Sequence, residues 1–151
     1  MGTKTIANKI IECINNGNKV LVCGNGGSAT QSQHFAGELV NKFLKNRMPL
    51  PMISLSADIA VITSIANDYG FEYIFSKQLQ AIGNEGDLLI TLSTSGKSKN
   101  IEAVLYAAEL NGIDVISFPT NKQLNKTTPK TQEIHLRMIH DISKIVEDYF
   151  T

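Results

Sequence analysis

The stretch Asn18–Phe43, NKVLVCGNGGSATQSQHFAGELVNKF, changes its period halfway along. NKVLVCGN is a short apolar run stopped by glycine and reads as a buried strand. SATQSQHFAGELVNKF, residues 28–43, reads as a helix with Ser28 placed as its N-cap. The same pattern returns downstream. DLLITLSTSG is an apolar run ending in small polar residues, and SKNIEAVLYAAELNG follows as a helix with Gly112 as its stop. Between the two units, LPMISLS reads as a strand, and DIAVITSIAND and EYIFSKQLQAIG as helices. DVISFP reads as a fourth strand, and TQEIHLRMIHDISKIVEDYF, residues 131–150, as an amphipathic terminal helix. Apolar strands alternating with helices predict an α/β fold, a three-layer α/β/α sandwich around a parallel sheet. At 151 residues the chain reads as a single domain, 1–151.

Charge narrows the function classes. Fourteen basic and fourteen acidic residues balance, with no charged tail, so no nucleic-acid partner is expected. Two cysteines, Cys13 and Cys23, are too few for a disulfide scaffold and point to a reducing, cytoplasmic setting. The first ten residues, MGTKTIANKI, carry no apolar core of the signal-peptide kind. No apolar run approaches the roughly 18 residues of a membrane span, so no membrane partner is expected.

In parallel sheets ligands sit beyond the carboxyl ends of the strands, where both small-residue loops fall. Glycine admits close backbone approach, helix N-termini attract anions, and hydroxyls add donors without charge. STSGKS, Ser93–Ser98, is therefore either a phosphate cradle or a helix cap with a tight turn. It lacks Walker A spacing. GNGGSA fits a dinucleotide fingerprint only loosely, with Ala29 in the third glycine position. No acidic residue lies between Glu38 and Asp58, so a sugar phosphate is the better guess.

His34 and Glu38 stand four apart and share a helix face, either as an exposed pair or as working groups. On the terminal helix, Gln132 and His140 are separated by eight residues, about 80° around the axis, and can face one cavity two turns apart. His135 falls on another side, and Glu133 belongs to the same polar cluster.

Taken in order, CGNGGS, QHFAGEL, IANDYGFEYIFSKQL, GDLLITLSTSGKSKN and TQEIHLRMIH resemble the phosphoheptose isomerases, members of the sugar isomerase (SIS) domain proteins with a flavodoxin-like fold. The resemblance covers nearly the whole chain. It implies a ketose–aldose isomerase that converts sedoheptulose 7-phosphate to D-glycero-D-manno-heptose 7-phosphate for lipopolysaccharide and related glycans. It implies a homotetramer whose sites are built from neighbouring subunits. Ser28, Ser93, Thr94, Ser95 and Ser98 match phosphate-binding positions, and Asn25 and Asp68 match sugar-contacting ones. Gly26, Gly27 and Gln132 complete the expected substrate site. Glu38 and His140 match the acid–base pair. His34, Glu38, Gln132 and His140 match the ligands of a zinc ion found in some members. A carboxylate held on zinc is a poorer free base, which leaves the division of roles open.

Two departures stand out. The helical segment before the first strand, ending near Gly17, is shorter than the family's. Between VISF and TQEIH the family carries a glycine-rich loop, a helix and a fifth strand; here only PTNKQLNKTTPK, residues 119–130, stands there, with Pro129 near the place of a substrate-contacting aspartate. The competing reading is a non-enzymatic SIS relative that binds the replication initiator DnaA. That relative lacks counterparts of Glu38 and His140 and breaks both loops, whereas this chain keeps all four features.

Overall fold

A computed structural model describes residues 1–151. Four parallel strands, β1 (Val20–Gly24), β2 (Met52–Ser54), β3 (Leu88–Leu92) and β4 (Asp114–Ser117), form one sheet in the order β2-β1-β3-β4. Register is set by Val20 opposite Met52 on one side and Leu88 on the other, and by Leu88 opposite Asp114. The central strands β1 and β3 are buried along their whole length, which explains their unbroken apolar runs.

Alternate residues of each central strand face opposite layers. Val20, Val22, Leu88, Ile90 and Leu92 join a core with α1 (Thr3–Asn15), α2 (Gly27–Val40) and α7 (Thr128–Phe150). Leu21, Cys23 and Leu89 join a second core with α3 (Ile59–Asp68), α4 (Ser76–Ile82) and α5 (Lys99–Leu110). These are the two outer layers of the expected sandwich. The chain leaves β1 for β2 on one side and reaches β4 from β3 on the other. The loops after β1 and β3 therefore meet at the point where the strand order reverses, the usual ligand crevice of such sheets.

All four strands lie where the sequence places them; several helix ends do not. Ser28 is not the cap of α2 but lies buried inside its first turn. Gly26 takes the cap position at φ 56°, a conformation that favours glycine. The helix expected to reach Phe43 stops at Val40, because a side chain of α7 captures the following turn. The helix expected over 72–83 splits into a 3₁₀ turn (Phe71–Tyr73) and α4, with the Gln78 side chain taking the Ile74 carbonyl at 2.8 Å. Helix α7 starts at Thr128 rather than Thr131, since Pro129 fits a first turn where its missing N–H is not needed. Residues 119–130 are not featureless: α6 (Asn121–Leu124) is fixed by a capping box between Thr120 and Gln123. Gly112 does end α5, at φ 65° just beyond the cap residue Asn111.

Candidate active site

Gly27, Gln31, His34 and Glu38 recur at helical spacing and form one stripe along α2. Helix α7 packs along that stripe in the same direction. Gln132 meets its start: a Cβ placed on Gly27 would lie 2.5 Å from Gln132 Nε2, and Gln31 Nε2 donates to the Gln132 carbonyl at 2.8 Å. Glycine at 27 is thus what lets the two helices close over the loop. Two turns further, His140 meets His34 edge to face, with ring centroids 5.3 Å apart. His34 Nε2 lies 2.7 Å from Glu38 Oε1. The nitrogen and carboxylate atoms of His34, Glu38 and His140 all fall within 4.8 Å of one another. A seam therefore runs from the glycine loop to a His–Glu–His cluster, roughly 10 Å along the helix axis from Gly27 to His34. The cluster is open to its surroundings, with the His34 side chain 42% and the Glu38 side chain 17% exposed.

The separations suit a divalent ion. Zinc bonds of about 2.0–2.2 Å to nitrogen and oxygen need donors closer together than the 4.8 Å limit of this cluster. Two imidazoles and a carboxylate are a fitting donor set for such a metal.

The two loops adjoin through Asn25 and Asn100, whose side-chain amides exchange hydrogen bonds of 2.8 Å in both directions. Asn100 was not foreseen from the sequence. In the β3 loop, Ser93 Oγ accepts from the Gly96 N–H at 3.0 Å and Ser95 Oγ accepts from the Lys97 N–H at 3.2 Å. Gly96 holds φ 68°. Ser98 occupies the cap position of α5, yet its hydroxyl makes no capping bond. The loop is thus braced by the hydroxyls of Ser93 and Ser95, and the Ser98 hydroxyl takes no part in the cap. Ser93, Ser95 and Lys97 face a cleft of about 590 Å³ whose far side is Thr120–Gln123. That wall is pinned by the Asn121 N–H donating to the Thr94 carbonyl at 2.7 Å, and by Thr120 packed against Gly96. Segment 119–130 therefore closes a side of the loop for which the sequence offered no wall.

One expected position stands apart, and His135, not expected at the site, lies elsewhere. Asp68 is exposed at the end of α3, bonded to its neighbour Asn67 at 3.1 Å. His135 is fully buried, and its Nε2 lies 2.7 Å from the Pro119 carbonyl oxygen. A carbonyl only accepts, so Nε2 carries the proton. Burial lowers the pKa of this imidazole, and the Pro119 bond offsets part of that shift. His135 thus anchors segment 119–130 from below, and Glu133 pairs with Lys130 in solvent at 2.9 Å.

A parallel α/β/α sheet with serine and glycine loops at its switch point and a His–Glu–His seam beside them defines a sugar-phosphate isomerase fold, and residues 2–119 match the SIS domain family. The chain is 42% identical to phosphoheptose isomerase 1 of Campylobacter jejuni, covering 93% of this chain and 83% of that one. It is 43% identical to the phosphoheptose isomerase of Burkholderia pseudomallei, covering 95% and 80%. Among solved structures, phosphoheptose isomerase GmhA of Neisseria gonorrhoeae superposes with a TM-score of 0.87 at 34% identity, over 97% of this chain and 85% of that one. The Francisella tularensis phosphoheptose isomerase gives 0.88 at 37%, with the same coverage. The chain belongs to the phosphoheptose isomerase family of SIS domain proteins.

Proposed function

We propose that the protein is an isomerase interconverting sedoheptulose 7-phosphate and D-glycero-D-manno-heptose 7-phosphate in heptose biosynthesis. The observation that carries this reading is the convergence of His34, Glu38 and His140 at the end of a seam that starts at the glycine loop. The Ser93–Ser98 loop and Ser28 hold the phosphate through hydroxyls and backbone N–H groups, with Gly26 and Gly27 admitting close approach. Asn25 and Gln132 meet sugar hydroxyls between the phosphate and the cluster. Glu38 takes a proton from C1 of the ketose as the C2 carbonyl becomes an enediol, and the same carboxylate returns a proton to C2. His140 delivers a proton to O2 and takes one from O1, so the aldose forms with no net gain or loss of atoms. His34, bonded to Glu38, orients the carboxylate toward both carbons.

His34, Glu38 and His140 would hold a zinc ion, with Gln132 two turns nearer the glycine loop. Such an ion supplies Lewis-acid polarisation of the two substrate oxygens. The open cluster, Asp68 at the surface, and the exposed side chains of Ile59, Tyr69 and Phe71 on the α3 side support a homotetramer in which neighbouring copies complete each site. A stable, active monomer in sedimentation would remove that assembly. The buried free thiols Cys13 and Cys23 support a reducing, cytoplasmic setting. No helix is long and apolar enough to cross a membrane.

The test is a direct assay on sedoheptulose 7-phosphate, beside a pull-down on the replication initiator DnaA. Turnover without initiator capture is the expected result. No turnover together with specific capture would transfer the chain to the non-enzymatic reading.

A further inference from the structure

The turn after α2 is built around one buried ion pair. Arg47 and Glu147 have side chains only 1% exposed, with Arg47 Nε 3.5 Å from Glu147 Oε1. The Glu147 carboxylate accepts from the backbone N–H groups of Phe43 at 2.9 Å, Leu44 at 2.7 Å and Lys45 at 3.0 Å. The Arg47 guanidinium donates to the carbonyls of Glu38 at 2.6 Å, Leu39 at 2.6 Å, Asn41 at 3.0 Å and Met48 at 3.2 Å. Burying two charges costs several kcal/mol per ion before their attraction is counted. A helix end can be closed far more cheaply by a glycine or by water. What this arrangement adds is direction, because every bond it makes runs to residues 38–48.

Both ends of the pair lead to the catalytic cluster. Arg47 holds the peptide of Glu38 itself. Glu147 lies seven residues beyond His140, on the same face of α7. It also fixes the backbone of Phe43, whose ring packs on the His140 imidazole with centroids 5.4 Å apart and planes at 34°. We propose that the Arg47–Glu147 pair is the positioning device that sets the separation between the Glu38 carboxylate and the His140 imidazole. This rests on reading those two groups as the acid–base pair.

The experiment compares wild type with Arg47→Lys, Glu147→Gln and the surface control Lys144→Ala. A lysine ammonium cannot span four carbonyls, and the amide that Glu147→Gln introduces turns donors toward N–H groups. Each clamp variant is expected to lose about 10–100-fold in kcat with KM for sedoheptulose 7-phosphate within about twofold, since small misplacement costs chemistry more than binding. The control keeps wild-type kcat. The chain has three histidines, so imidazole NMR supplies a readout free of activity. The His34 and His140 signals should shift in both clamp variants while His135, held by Pro119, stays in place. Folded clamp variants with wild-type kcat, or with a lower melting temperature but unmoved His34 and His140 signals, overturn the proposal. If wild type itself turns nothing over, the isomerase reading fails, and the NMR arm still decides whether the pair positions the cluster.

Discussion

Asp87 and Glu38 are held in opposite ways. At the amino end of the sheet, Asp87 is 1% exposed and fully engaged: Lys19 Nζ at 2.6 Å, the Lys19 N–H at 3.1 Å, the Asn84 N–H at 2.8 Å and the Asn18 amide at 3.2 Å. Near the end of α2, beside the turn that leads into β2, Glu38 has one side-chain partner, His34, and an open face. A carboxylate whose lone pairs are all taken ties strands together and has nothing left to exchange. One with spare capacity beside two imidazoles is free to take up a proton or a metal ion. On the proposed reading, the contrast is between a structural acid and a working one.

Substituting each acid by its amide should split the two roles. Glu38→Gln keeps size and hydrogen bonding, and kcat is expected to fall by about two orders of magnitude or more with the melting curve barely moved. Turnover that survives this change would leave the enzyme but remove Glu38 as its base. Asp87→Asn should do the reverse, costing about 3 kcal/mol in urea unfolding because Lys19 loses its buried partner, while kcat of the folded fraction holds. A catalytic loss in Asp87→Asn without a stability loss would erase the distinction.

Metal removal sharpens the same contrast. Chelation of protein purified without chelators is expected to lower activity, and zinc to restore it, leaving the Asp87 tie untouched. Full activity in a metal-free sample would leave acid–base chemistry to Glu38 and His140 alone.

A smaller effect concerns pH. Burial by itself would raise the pKa of Asp87, but bonds from Lys19, Asn84 and Asn18 outweigh it and hold the group below its ordinary 3.8. Its contribution to stability is therefore complete above about pH 4 and is lost as the pH falls through the lower folded value. Acid unfolding of wild type should steepen below that point, and Asp87→Asn should flatten that part of the curve. An identical acid limb in both proteins would count against Asp87 as the amino-end tie.

The smallest expected change is at the cradle. Ser95→Ala removes a hydroxyl that braces Lys97 N–H and lines the cleft, and KM for a phosphorylated sugar should rise about tenfold with kcat nearly kept. An unchanged KM would take Ser95 out of phosphate binding.

Most of the architecture was legible because β1 and β3 are buried on both faces and so read as continuous apolar runs. The His34–Glu38 pairing was legible because four residues make one helical turn. The Arg47–Glu147 pair was not, since 100 residues separate its members and both letters look like surface charge. Asn100 was hidden for the same reason, its partner Asn25 lying on another loop. Helix α6 was a different kind of miss. Thr120-Asn-Lys-Gln123 is a capping-box sequence, and it stood in plain view within a segment read only as shortened. Ser28 misled because the residue type suits a cap, while Gly26 alone suits the positive φ that the turn requires.

The seam between α2 and α7 also fixes an order of assembly. All four strands and both ligand loops are complete by Ser117, whereas Gln132, His140 and Glu147 lie beyond them in the chain. A nascent chain emerging from the ribosome can pair its sheet and brace its serine loop before any of α7 exists. Glu38 and Arg47 then wait, about a hundred residues back, for partners made last. Activity acquired during synthesis should therefore report the docking of one helix, and an arrested chain lacking that helix would be folded at its centre and silent at its site.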